Sequence, residues 1–170
     1  MGLPGAVAAV VVGLLTAAGP TATVASEQRL APVYAQGLAR FDSGWVVSGT
    51  DALARVSDAG VPELRVDVAI PAAWAQQGFD HIGDIDVSGT TLYVPFEQPN
   101  YEQSRQAMAR YDARTLAFRD AKIVSQHENS FVAVDGASGI AYSMDRFGGA
   151  ALLRYDVRAG WRRLPPLQLD

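Results

Sequence analysis

Three stretches of this chain follow one plan, and that internal repeat constrains the fold more than any other feature. Gln36, His81 and His127 head the three units, 45 and 46 residues apart. Each unit then carries four short runs rich in Val, Ile, Tyr and Phe. In the first unit these are Gln36–Phe41, Trp45–Ser48, Ala52–Val56 and Glu63–Val68. The second has His81–Val87, Thr91–Val94, Ala107–Tyr111 and Ala117–Ile123; the third has His127–Val134, Ile140–Met144, Ala151–Tyr155 and Trp161–Leu164. The punctuation between runs is turn chemistry: Asp42-Ser43-Gly44, Ser88-Gly89-Thr90 and Asp135 to Gly139 separate the first two runs of each unit. Glycine supplies the positive φ of tight hairpins, while Asp and Ser bond to the local backbone. Four strands recurring every 40–45 residues or so mark a β-propeller blade. A β-sandwich with chance likeness between strands is the alternative.

The expected architecture is therefore all-β: a partial β-propeller of three four-stranded blades in an open arc, with units at about 36–70, 81–124 and 127–169. Pro71 to Gly78 reads as a short helix ended by glycine, joining units one and two. Pro95 to Arg105 lengthens the second hairpin of unit two. Arg29-Leu30-Ala31-Pro32-Val33-Tyr34 resembles Arg163-Leu164-Pro165-Pro166-Leu167-Gln168, the outer run of unit three. Residues 29–34 are thus expected to form an N-terminal clasp strand of the kind that completes the last blade of a closed ring. Three blades fall short of the usual 4–8, so the expectation is a truncated chain from a longer protein.

Before Glu27 no side chain is charged, and Leu3 to Ala18 is almost wholly Ala, Val, Leu and Gly. That run matches a secretory h-region and is shorter than the roughly 20 residues a membrane span needs. Thr23-Val24-Ala25 offers small residues for cleavage after Ala25. Residues 1–25 are thus expected to be a signal peptide and 26–170 a secreted or extracytoplasmic domain, with no membrane span after cleavage. The n-region lacks Lys and Arg, so an uncleaved anchor is the alternative. The chain has no cysteine, which excludes disulfide scaffolds, thiolate metal sites and a cysteine nucleophile. A net charge of −4 without any basic run argues against nucleic acid as partner.

Gln36-Gly37-Leu38, the Gly44-Trp45 turn, Ser48-Gly49 and Leu53-Ala54-Arg55-Val56 resemble an opening blade of the glutaminyl cyclotransferase-like propellers. More broadly, residues 29–170 resemble secreted bacterial propellers of six or seven blades. The narrower resemblance implies conversion of N-terminal glutamine to pyroglutamate. Unit two departs from the pattern, so no catalytic residue is carried over.

The candidate site follows from the repeat. Gln36, His81 and His127 precede the innermost strand of consecutive units, where a propeller has one mouth of its channel; Asp84 and Glu128, with Asp86 and Asn129, stand close in sequence. Two imidazoles beside carboxylates suit a divalent cation, or acid–base work near neutral pH. The same residue types also serve as hydrogen bonds between blades. Asp84-Ile85-Asp86-Val87-Ser88-Gly89 begins like a calcium loop, but its twelfth position is Pro95 instead of a bidentate Glu and no helix flanks it. Trp74, Tyr93, Phe96 and Tyr101 suit either an aromatic platform or core packing. No G-x-G-x-x-G, Walker, H-E-x-x-H or G-x-S-x-G motif occurs. The reading is an exported binding or scaffold module for a small molecule or a protein or peptide ligand, contacted by Gln36, His81, Asp84, His127 and Glu128. The alternative is a propeller enzyme, cyclotransferase-like or a metal-assisted, lactonase-like hydrolase.

Overall fold

A computed structural model describes Glu27, residues 30–145 and residues 150–169. The expected leader at residues 1–25 and Arg29 of the expected clasp lie outside them. Three antiparallel meanders follow one another. The first contains β1 (Gly37–Phe41), β2 (Gly44–Ser48), β3 (Leu53–Ser57) and β4 (Pro62–Val66), paired in sequence order. A short helix α1 (Ala72–Ala75) leads into the second, and Gly78 stops it at φ +91°. The second meander contains β5 (His81–Ile82), β6 (Asp86–Ser88), β7 (Thr91–Glu97), β8 (Gln106–Asp112) and β9 (Phe118–Val124). The third contains β10 (Ala133–Asp135), β11 (Ile140–Ser143), β12 (Ala151–Asp156) and β13 (Arg162–Gln168). The expected runs thus become four-stranded blades of a partial β-propeller, the inner strand of the second being split into β5 and β6, both paired with β7. Among the described residues no helix is long and apolar enough to cross a membrane.

The turns form as their residues dictate. Asp112 Oδ1 accepts from the N–H groups of Arg114 and Thr115, both at 2.9 Å, and those bonds together with the Arg119 guanidinium hold its carboxyl down at about 2. Asp135 accepts from Ala137 N–H and Asp156 from Ala159 N–H, each at 3.0 Å. A carboxylate that mimics a turn carbonyl in this way fixes a local reversal without help from the core.

Each blade has two faces, and the core is made between them. Ala39, Phe41, Val46 and Leu53 of the first blade are buried against Leu92, Val94, Ala109 and Tyr111 of the second. On the opposite face of the second blade, Tyr93 and Met108 are buried with Ala141, Leu153, Tyr155 and Trp161 of the third. The outer strands β4, β9 and β13 lie largely exposed. Burial at roughly 25 cal/mol per Å² of apolar surface makes these blade-to-blade layers the main source of stability.

Three expectations need correction. Residues 30–36 contain no strand: Tyr34 N–H closes a turn on Ala31 O at 2.9 Å, and Leu30 and Tyr34 lie over Val47, Ala54 and Val56 of the first blade. The apolar side chains expected in a clasp strand serve instead as a partial lid on that face. The innermost run of the second blade is not continuous, since Gly83-Asp84-Ile85 separates β5 from β6. There the chain turns to its neighbour: Asp84 N–H donates to Ser130 O (2.7 Å) and Val132 N–H to Asp84 O (3.2 Å). A Cβ on Gly83 would fall 2.3 Å from Ser130 O, so only glycine permits this approach. The run from His127 to Val134 is likewise mostly irregular, with strand only from Ala133.

Candidate functional site

The hairpin registers decide which of the predicted residues meet. Phe41 pairs with Gly44, Ser88 with Thr91 and Asp135 with Ile140. Counted back from these ends, Gln36 lies five residues before its hairpin, His81 seven and His127 eight. The three heads of the repeat are therefore not equivalent in three dimensions. Gln36 is half-buried and its N–H donates to Ser48 O at 3.1 Å.

Asp84 and Asp86 are used between blades. Asp84 Oδ1 accepts from Leu38 N–H of the first blade (3.2 Å), while its backbone pairs with the third. Asp86 Oδ2 accepts from Val134 N–H of the third blade at 2.6 Å. For these two acids the inter-blade reading of the sequence holds.

The remaining titratable groups gather at the inner ends of the second and third blades. His81 is the cross-strand partner of Glu97. Glu97 is only 4% exposed, and its Oε1 accepts from Asn129 N–H at 2.6 Å. Tyr101 OH stands 3.4 Å from Glu97 Oε2. Burial raises the Glu97 carboxyl above the ordinary range; the Asn129 N–H and the nearby His81 oppose that rise, and the negative charge of Glu128 adds to it. His127 N–H donates to Asp145 Oδ1 (2.9 Å), and its Nδ1 lies 3.2 Å from Asp145 Oδ2. Ser130 Oγ donates to Glu128 Oε1 at 2.9 Å. A pocket of about 300 Å³ opens here, lined by Glu128, Ser130, Phe131, Met144 and Asp145. Its acids and its apolar Phe131 and Met144 suit a ligand with a cationic group on an apolar body. Among the described residues no three His, Asp or Glu side chains gather as a metal site.

A buried amide network holds this end in place. Gln126, fully buried, shares its two Nε2 hydrogens among Glu128 O (2.5 Å), Asn129 Oδ1 (3.1 Å) and Ser143 Oγ (3.0 Å), and its Oε1 accepts from Tyr155 OH at 2.6 Å. Asn129 Nδ2 donates to Ala107 O of the second blade (2.7 Å), and Gln106 Nε2 to His127 O (2.7 Å). Burial raises the Tyr155 hydroxyl to about 12, which keeps it a donor. Sequence reasoning missed Glu97, Gln106, Gln126, Ser143 and Asp145. The available signal was position: Glu97 ends a long apolar strand, and Gln126 precedes a marked histidine. Nothing in their type distinguishes them from surface residues.

No protein-family model and no curated protein matches the chain. Solved structures do. One is a protein of unknown function from Bacteroides caccae, with a TM-score of 0.53 and 8% identity over 79% of this chain and 46% of that one. Another is the WD40 repeats of RRP9, with a TM-score of 0.52 and 14% identity over 75% of this chain and 36% of that one. Likeness at such identity shows fold alone, and WD40 repeats are propeller blades. This chain spans less than half the length of either relative.

Proposed function

We propose that this chain is an exported β-propeller module that binds a small molecule or short peptide bearing a positive charge at the inner ends of its second and third blades. One observation carries the reading: the Glu128 and Asp145 carboxylates line an open pocket of about 300 Å³, with His127 Nδ1 held 3.2 Å from Asp145 Oδ2 and the buried Glu97 carboxyl near enough to Glu128 to feel its charge. Of the residues nominated by sequence, Glu128 lines the pocket, His127 is held against its Asp145 wall, and His81 is the cross-strand partner of Glu97. Export rests on the apolar leader before Glu27.

The chain has only two histidines, so proton NMR of their ring C–H groups reads the site directly. Titration with a peptide carrying an N-terminal glutamine, and separately with a simple aliphatic amine, should shift the His127 resonances and leave them in place in Glu128→Gln. Unmoved resonances with both probes would refute the reading. The enzymatic alternative is favoured by a single contact, the Asp145 carboxylate on His127 Nδ1, which is how a base is oriented. Conversion of the first probe to its pyroglutamyl form, the α-amine displacing the side-chain amide nitrogen as one equivalent of ammonia, and its loss in His127→Ala, is its signature.

A further inference from the structure

We propose, resting on the cation-binding reading above, that Glu97 is a positioning residue of the pocket and releases its proton to water when a cationic group settles against Glu128. Ligand capture and proton loss are then one coupled event. Glu97 closes β7, whose residues from Leu92 onward are all buried, so the strand carries the carboxyl inward to 4% exposure where the second blade meets the third.

The carboxyl is tied directly to the pocket wall. Its Oε1 accepts from Asn129 N–H at 2.6 Å. Asn129 is itself fully buried and fixed to the second blade, its Nδ2 donating to Ala107 O at 2.7 Å. On either side of Asn129 stand Glu128 and Ser130, which line the pocket and bond to each other at 2.9 Å. Acid, amide and wall form one fixed piece. A charge placed on Glu128 therefore acts on Glu97 without any segment having to move.

The groups around Glu97 decide how it responds. His81 faces it from β5, Tyr101 OH stands 3.4 Å from its Oε2 on the turn Tyr101–Gln103, and Glu128 approaches from the segment before β10. This set contains no permanent positive charge. Burial and the negative Glu128 favour the protonated acid, while Asn129 N–H, Tyr101 OH and the charge of a protonated His81 favour the anion. An ammonium seated on Glu128 cancels the repulsion and adds an attraction, so the same carboxyl ionises. Linkage requires the converse. Binding tightens as pH rises through the window in which the free protein keeps Glu97 protonated.

Carboxyl ¹³C NMR of the full chain reads this directly, with the Glu97 resonance assigned through the Gln98 amide, so the measurement needs no variant. Saturating butylamine, itself protonated throughout the range, should move the Glu97 titration to lower pH. Affinity for butylamine, followed by the His127 ring protons, should rise about tenfold more across that window in wild type than in Glu97→Gln. Protons lost by His81 and His127 are counted separately, since each ring reports its own titration. An equal rise in both proteins would overturn the coupling and leave Glu97 as a brace for Asn129 alone. Butylamine that shifts His127 while the Glu97 titration stays in place would overturn it too, with the binding reading intact. Butylamine that shifts neither group at any pH would overturn both.

Discussion

Removing the Tyr155 hydroxyl tests whether the buried amide network holds the candidate site. Tyr155 and Gln126 are both at most 1% exposed, and the bond between them is 2.6 Å long. Tyr155→Phe leaves Gln126 Oε1 without that donor in a place water does not reach, at a cost of about 1–3 kcal/mol. A loss near 2 kcal/mol lowers Tm by about 4–8 °C in a domain of this size. Gln126→Leu is more severe, because it strands the Tyr155 hydroxyl and takes a donor from Glu128 O, Asn129 Oδ1 and Ser143 Oγ together; about 3 kcal/mol or more is expected. The double variant removes donor and acceptor at once, so its loss should fall short of the sum by about 1–2 kcal/mol. Urea unfolding of the four proteins measures this, with ring-proton spectra of His127 reporting on the site. Additivity within about 0.3 kcal/mol would show that the two groups do not share a buried bond, and the account of how residues 127–130 are held would fail.

Glu97→Gln should change how stability depends on pH. Between the ordinary glutamate value of 4.5 and its raised folded value, Glu97 keeps a proton in the native state that the unfolded chain has released. Its contribution therefore falls as pH rises through that window, and the difference between wild type and Glu97→Gln, followed by thermal melts from pH 4 upward, should favour the variant increasingly toward neutrality. A flat difference would refute the burial argument. Gly83→Ala should cost about 1–3 kcal/mol through overpacking, because the new methyl would meet Ser130 backbone 2.3 Å away; an unchanged melting point would show that the second and third blades do not touch there. Asp84→Ala, which takes the Oδ1 acceptor from both Leu38 N–H and Ile85 N–H, should cost about 1–3 kcal/mol by the same melts, and a larger loss would point to a role beyond joining the blades.

Pattern with local causes was legible in the sequence. Period-2 apolar runs, Asp and Gly at the hairpins and a spacing near 45 residues determined three antiparallel meanders and their order, because strand faces and tight turns depend on residues a few positions apart. The stop at Gly78 was legible for the same reason. The site was legible only as a neighbourhood. His127 and Glu128 were marked by type, yet their companions Asp145 and Glu97 lie 18 and 31 residues away in sequence and come near only through strand register and blade contact. Register also set Gln36 and the histidines at different distances from their hairpins, since the break at Gly83-Asp84-Ile85 adds residues on one blade that another lacks. Asp84 and Asp86 resembled ligands in one dimension and became links between blades in three, because a carboxylate beside a neighbour's unpaired N–H is satisfied there first. Burial converted Gln126, Gln106 and Ser143 from ordinary polar residues into the frame of the site. Depth from solvent belongs to the packed layers, and no local stretch of sequence encodes it.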